Sequence, residues 1–249
     1  MKTMRKWTIA LCIIVFVIGT LVFFAVRPEK NKIINVRNEM AGKSVSINIY
    51  KGKQYLHDFK VNSFLKIKTP PQIAVWVEDA EGNYMETLYA TSKIVRQNWS
   101  KAPSDPAQKG QIRRDEALPY WTHKRGNEKI VPDTVTSATP KGSSTIHTKV
   151  GTAKGQYTIL AEVNLSTDFN EYYPKEAKAG EENYSGGEFG SGQPALVYAA
   201  TINAEDNKTY GLAPIGHSSP DGKDGKLYKD LSKLTTAREI VEKITCTIK

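Results

Sequence analysis

Along most of this chain apolar and polar residues alternate one by one, the period of a strand with one buried face. SVSINIY (Ser44–Tyr50) puts Val45, Ile47 and Ile49 on one side, and SFLKIK (63–68) alternates again. The clearest signal is PPQIAVWVEDAEGNYMETLYAT, which reads as a hairpin. Ile73, Val75 and Val77 share one face, and Gly82 in the turn EDAEGN takes the positive φ that closes such a loop. Strand patterns resume at STIHTKV, GQYTILAEVNL and PALVYAATIN. LTTAREIVEKITCTIK reads as a short helix starting near Thr235 or Thr236 that runs into a final strand. From Ser92 to Pro132 the strand period is lost. SKIVRQNW and RRDEALPYWTH suggest helical turns around Trp99 and Trp121, and Pro103 and Pro106 break the stretch between them. Short strands joined by turns, with little helix, predict a mainly β domain: an immunoglobulin-like β-sandwich with one long non-strand excursion.

The first residues follow another pattern. Thr8–Val26 carries no charge and is almost wholly apolar, about the length a helix needs to cross a bilayer. Lys2, Arg5 and Lys6 precede it, which puts the N-terminus in the cytoplasm and the rest outside. A cleaved signal peptide is the competing reading. It calls for a shorter apolar run and small residues at the cut, whereas this run ends in LVFFAV. The expected organisation is a cytoplasmic N-terminus (1–7), a transmembrane anchor (8–26), a linker (27–42) and an extracytoplasmic β-sandwich domain (43–249).

Composition narrows the functions. The formal charge is +9, and four of these charges lie in residues 1–30. The remaining +5 is a mildly basic surface, with no basic block interleaved with aromatics, so nucleic acid is not an expected partner. The two cysteines do not pair: Cys12 lies in the apolar run, and Cys246, in KITCTIK, alternates as a small buried hydrophobe. The domain is then held by its core rather than by a disulfide. His57, His123, His147 and His217 are scattered, and no Cys/His spacing suggests zinc.

Motifs that carry chemistry are few. GGEFGSG (Gly186–Gly192) lacks dinucleotide spacing and reads as a flexible hairpin loop. SPDGKDGKLYKD offers Asp221, Asp224 and Asp230, but Lys223, Lys226 and Lys229 are interleaved, so turns are favoured over a calcium loop. In GHSSPDG, His217, Ser218, Ser219 and Asp221 lie too close in sequence for a nucleophilic triad, whose members come from separated segments. The Asn-x-Ser/Thr matches at Asn98, Asn164, Asn183 and Asn207 matter only in a glycosylating host.

DTVTSAT (Asp133–Thr139) is similar to the Asp-x-x-(Ser/Thr)-Gly-Ala-Thr target of bacterial flavin transferases, which attach FMN through its phosphate to the last Thr. The resemblance implies Thr139 as the attachment residue, with Asp133, Thr136 and Ser137 as the rest of the recognised motif. Ser137 stands where Gly is usual. The other reading of the stretch is a Ser/Thr turn leading into PKGSS.

Together, PQIAVWVEDAEGNYMETLYAT, LPYWTHKRG, PDTVTSATPKG, YTILAEVNLSTDFNEYY, SGQPALVYAATI and DGKDGKLYKDLSKLTTAREIV resemble a bacterial family of predicted periplasmic proteins, a domain of unknown function. The resemblance spans Pro71 to about Val241. It implies exported or anchored β-proteins that keep company with membrane redox and flavin-transfer proteins, and it carries no catalytic residue. Two readings of function follow. One is a non-catalytic accessory of a membrane redox or flavin-transfer system, with FMN carried covalently at Thr139 and a flavin transferase or membrane redox protein as partner. The other is an adaptor or ligand-binding module with no redox role, which presents Trp99, Tyr120 and Trp121 on the excursion. Those aromatics could equally belong to the domain's own core, the commoner fate of Trp.

Overall fold

A computed structural model describes residues 31–36, 38, 40–60, 64–100, 111–126, 136–137, 139–152 and 154–249. The expected anchor, Thr8–Val26, lies outside these residues. Among the described residues no helix is long and apolar enough to cross a membrane.

The alternating segments become strands, and ten of them join in one hydrogen-bonded sheet. Its order begins with β1 (Lys32–Asn35), β10 (Ser144–Val150), β2 (Lys43–Lys51), β14 (Val241–Ile248) and β13 (Thr209–His217). It continues through β12 (Leu196–Asn203), β11 (Gln156–Asn164), β5 (Gln72–Glu78), β6 (Tyr84–Thr91) and β9 (Thr136–Ser137). Two small two-stranded sheets stand apart: β3 (His57–Lys60) with β4 (Lys66–Thr69), and β7 (Trp99–Ser100) with β8 (Gln111–Ile112). Among the described residues the α-helices are short: α1 (Ser92–Arg96) and α2 (Pro119–Arg125).

The sheet curls, and β13 makes the corner. Its residues Thr209–Leu212 pair with β14, whereas Ala213–His217 pair with β12 across a bulge at Val197/Tyr198. Pro214 lies just past the last β14 pair, where its missing amide hydrogen removes no bond to that neighbour. The two arms of the sheet thereby close over one core. Val45, Ile47, Ile49, Ile146, Ile244 and Cys246 come from one arm, and Ile73, Val75, Val77, Ile159, Val163 and Leu196 from the other. Cys246 is fully buried, and desolvation pushes its thiol up to about 12, so it packs as a hydrophobe rather than reacting.

The predicted hairpin is β5–β6. Asp79 holds its turn: the carboxylate accepts from Glu81 N (3.0 Å), Asn83 N (2.8 Å) and Asn83 Nδ2 (2.9 Å). Gly82 takes φ +83°, as a tight turn of this kind requires. Short turns of this sort, at 79–83, 151–155 and 204–208, lie at one end of the sheet. All four long connections, β2 to β5, β6 to β10, β11 to β12 and β13 to β14, lie at the other.

The described parts of the excursion, 92–100 and 111–126, carry residues that lie against the sheet instead of leaving it. Every residue of β5 is buried, because the excursion packs onto the outer face of β5, β6, β11 and β12. Trp76, Ala74, Leu160 and Val197 of the strands meet Ile94, Trp99, Leu118 and Trp121 of the excursion in a second apolar cluster. Trp99 and Trp121 are therefore core residues and do not face a partner; Tyr120 is half-buried, its ring 6.0 Å from that of Trp76. Two side chains seat α2. Trp121 Nε1 donates to Thr87 Oγ1 (2.9 Å), and the carboxylate of Glu162, from β11, accepts Trp121 N (2.7 Å) and Tyr120 N (3.2 Å). Leu118 offers no side-chain cap, so a residue from the sheet satisfies the orphan amides of the first turn.

Glu162 is fully buried, and desolvation raises its carboxyl to about 8 despite the two backbone amides. An unfolded glutamate titrates near 4.3. Between roughly those two values the folded protein holds a proton that the unfolded chain releases, so stability falls as pH rises through this window. We expect urea midpoints to decline from about pH 5 to about pH 8. Glu162→Gln should flatten that slope; a slope unchanged in the variant would assign the proton elsewhere.

Candidate functional site

Of the stretch Asp133–Thr139, residues Thr136 and Ser137 are an edge strand. Thr136 and Ser137 form β9, parallel to β6, with Ala90 opposite Thr136 and Thr91 opposite Ser137. Asp133 lies outside the described residues, as do the side chains of Thr136 and Ser137. Thr139 follows two residues later and is half-buried, and Pro140 beside it is buried. The segment then turns through Ser143 into β10.

The glycine-rich run is a close-packed corner and not a flexible loop. A Cβ at Gly190 would stand 1.9 Å from Ser185 O, and one at Gly192, which has φ +78°, would stand 2.5 Å from the Asp168 backbone. These approaches let the loop zip onto Asp168: Thr167 N bonds Gly190 O (2.8 Å), Asp168 N bonds Ser191 O (2.9 Å) and Gln193 N bonds Asp168 O (2.9 Å). Thr167 is held at φ +58°, a strained conformation for a β-branched residue.

Around that corner runs a buried polar seam. Thr236 Oγ1 donates to Asp168 Oδ1 (2.6 Å), Gln193 Nε2 donates to Thr236 Oγ1, and Gln193 Oε1 accepts Thr235 N (2.6 Å). Asn164 Nδ2 donates to Gln193 O (3.1 Å), and Ser191 Oγ reaches both Asn164 Oδ1 (3.0 Å) and Glu116 O (3.3 Å). Burial raises the carboxyls of Asp168 and Glu116 above their ordinary range; Arg114 Nη1, 3.4 Å from Glu116, and Thr236 on Asp168 pull the other way. The seam ties the β11–β12 loop to the β13–β14 loop. Its members lie far apart in sequence, and no sequence pattern pairs them.

The loops so tied form a cleft of about 500 Å³. Tyr172 and Tyr173 line one part, edge to face at 4.9 Å. Asn170 holds them, accepting Tyr172 N (3.1 Å) and Tyr173 N (2.8 Å) and donating to Lys233 O (2.9 Å). His217 and Tyr228 line another part, stacked at 5.3 Å and 10° and joined by two 2.8 Å backbone bonds. Asp221, Asp224, Asp230, Glu181 and Glu182 contribute carboxylates, and Lys223, Lys229 and Lys233 contribute ammonium groups.

The cleft holds no nucleophilic triad. His217 Nδ1 lies 2.8 Å from Ser218 O, so it carries the proton and donates, while Ser219 Oγ donates to Asp221 Oδ1 (2.9 Å). Burial lowers the His217 pKa, which keeps the imidazole neutral and its Nε2 an acceptor near neutral pH. The aspartates offered as calcium ligands are engaged locally: Asp221 by Lys223 (2.7 Å), and Asp224 by Tyr228 Oη (2.9 Å) and Lys226 (3.8 Å). Among the described residues no group of three or more His, Cys, Asp or Glu side chains could hold a metal ion.

Gln193 is the residue on which the two loops depend. Gln193→Ala should remove the part-buried bonds to Thr235 N and Thr236 Oγ1 and cost about 1 kcal/mol, read as a lowered urea midpoint. A neutral result would mean that the loops are held by packing alone.

No curated protein matches this chain, and no solved structure does. One family model does, described as a predicted periplasmic protein (DUF2271), over residues 66–185. The match runs from β4 through the hairpin, the excursion, β11 and the Tyr172–Tyr173 wall of the cleft. Residues 66–185 are thus similar to that family, whose function is unknown.

Proposed function

We propose that this is a non-catalytic, ligand-binding domain of the cell envelope, and that the cleft beside Tyr172, Tyr173, His217 and Tyr228 is its binding site. The observation that carries the reading is the combination of two aromatic pairs with five carboxylates in one cleft on loops that a buried seam fixes. Loops on a rigid sheet scaffold are where binding sites are built. Ring faces pack against the C–H face of a saccharide, and carboxylates accept its hydroxyls. In this reading the two arms of the curled sheet are the layers of an immunoglobulin-like sandwich, and Thr8–Val26 is an uncleaved anchor that keeps the domain outside the cytoplasm.

Ligand-observed NMR with soluble oligosaccharides of N-acetylglucosamine tests the site. We expect saturation transfer to the sugar, lost in Tyr228→Ala and kept in Glu205→Ala at the far end of the sheet. No transfer with the native protein, or transfer unaffected by Tyr228→Ala, would remove the saccharide reading.

A second reading, a covalent flavin carrier, rests on the Asp133–Thr139 motif and on the partial exposure of Thr139 next to an edge strand. FMN would be held by a phosphoester to Thr139 Oγ1, and its ring system would supply the redox chemistry. Coexpression with a flavin transferase in the export compartment should then give in-gel flavin fluorescence after denaturation, abolished by Thr139→Ala. An unlabelled native chain would sink the carrier, and fluorescence surviving in the variant would sink the site.

A further inference from the structure

Five carboxylates and three ammonium groups line the cleft. The ammonium groups are spent within the fold. Lys223 pairs with Asp221 (2.7 Å), Lys229 Nζ donates to Ile215 O (3.2 Å), and Lys233 Nζ lies 5.1 Å from the centre of the Tyr172 ring. Lys226, from outside the lining, approaches Asp224 at 3.8 Å. Among the described residues no cation forms an ion pair with Glu181, Glu182 or Asp230. The Asp230 carboxyl is held below its ordinary range chiefly by its bonds from Ser232, with Lys233 and His217 contributing less.

A second observation points the same way. His217 lines the cleft and is only 6% exposed. Its Nδ1 donates to Ser218 O, and its ring stacks on Tyr228, but its Nε2 has no hydrogen-bond partner among the described residues. A buried acceptor left without a donor is costly, so this wall of the cleft asks for an N–H or O–H from a ligand. Two of the unpaired carboxylates lie near the same place. The Tyr173 phenol is raised first by burial, then by Tyr172, Glu182 and Asp230, and Asp230 also acts on His217. The acceptors come from three loop segments and face no positive partner. A metal ion does not fit them, since among the described residues no three such groups converge closely enough to hold one. A primary ammonium does: it brings a charge and three donors, and it tolerates acceptors that are spread apart. Tyr228, which stacks one face on His217 and stays 38% exposed, offers an aromatic surface beside it.

We propose that the cleft selects a saccharide with a free ammonium group, a hexosamine that lacks its N-acetyl group, and that His217 Nε2, Asp230 and Glu182 receive the ammonium. The proposal rests on the saccharide reading of the cleft. An N-acetyl group answers the site less well. It offers one amide N–H in place of three charged donors, and it brings a carbonyl oxygen among carboxylates. The formal charge of the chain is +9, so a cationic sugar is not drawn to the protein as a whole, and the preference has to come from these groups.

The test is calorimetric titration of the full chain in detergent with a trimer of glucosamine and a trimer of N-acetylglucosamine, beside trilysine as a cation without a sugar. We expect the glucosamine trimer to bind about tenfold more tightly than the N-acetylated one, the scale of a few partly exposed charge pairs, and trilysine to bind more weakly than the glucosamine trimer. Asp230→Asn combined with Glu182→Gln should abolish the preference and spare binding of the N-acetylated trimer. Glu205→Gln, which removes a carboxylate at the far end of the sheet, should keep the preference. The nitrogen NMR signal of His217 Nε2 should shift when the glucosamine trimer is added; a signal that stays in place would overturn the role of that atom. Equal affinities for the two trimers would overturn the proposal and leave the saccharide reading standing. A preference that survives in the double variant would overturn the assignment of Asp230 and Glu182, and trilysine binding as tightly as the glucosamine trimer would overturn the part given to the sugar. Binding of neither trimer would overturn the saccharide reading itself, and the proposal with it.

Discussion

Strand β13 changes partners partway along its length, and the curl of the whole sheet depends on that change. Four residues bond β14, the next five turn to β12, and a bulge absorbs the mismatch. Without the turn, ten strands would make an open ribbon with an unburied apolar face. With it, Ile47 and Ile146 on one arm and Val75 and Ile159 on the other share a single core. The chirality and spacing of the strands then leave short turns at one end and every long connection at the other, so side chains from four distant segments can converge there.

The same curl creates a second problem, which the excursion solves. The outer face of β5, β6, β11 and β12 carries Trp76, Ala74, Leu160 and Val197, too apolar to meet water. Ile94 of α1, Trp99, Leu118, and Trp121 of α2 cover it. The cover is pinned where a buried carboxyl group, that of Glu162, takes two helix amides. A buried carboxyl is costly when charged, which is why it holds its proton. It also fixes the position of α2 with two directional bonds that apolar packing alone would not supply. On the long-loop side the seam through Asp168, Thr236 and Gln193 plays a similar part: it joins two loops into one wall, and the cleft owes its shape to it.

Strand alternation alone determined the mainly β class, the β5–β6 hairpin with its Gly82 turn, the last strand after Thr235, and the burial of Cys246. These are local consequences of period and turn chemistry, set by a few neighbouring residues. The family resemblance was legible for a similar reason, because it resides in contiguous strings such as PQIAVWVEDAEG and SGQPALVYAATI. What only the tertiary structure decided is nonlocal. Whether Trp99 and Trp121 face a partner or a sheet depends on which strands lie beneath them. Whether Gly190 and Gly192 loosen a loop or tighten it depends on Ser185 and Asp168 arriving within contact. The partnership of Gln193 with Thr235 and of Glu162 with Trp121 spans about forty residues in each case. No periodicity encodes such pairs, since each partner obeys only its own strand or loop. They exist because β13 bends and brings the ends of four connections to one place.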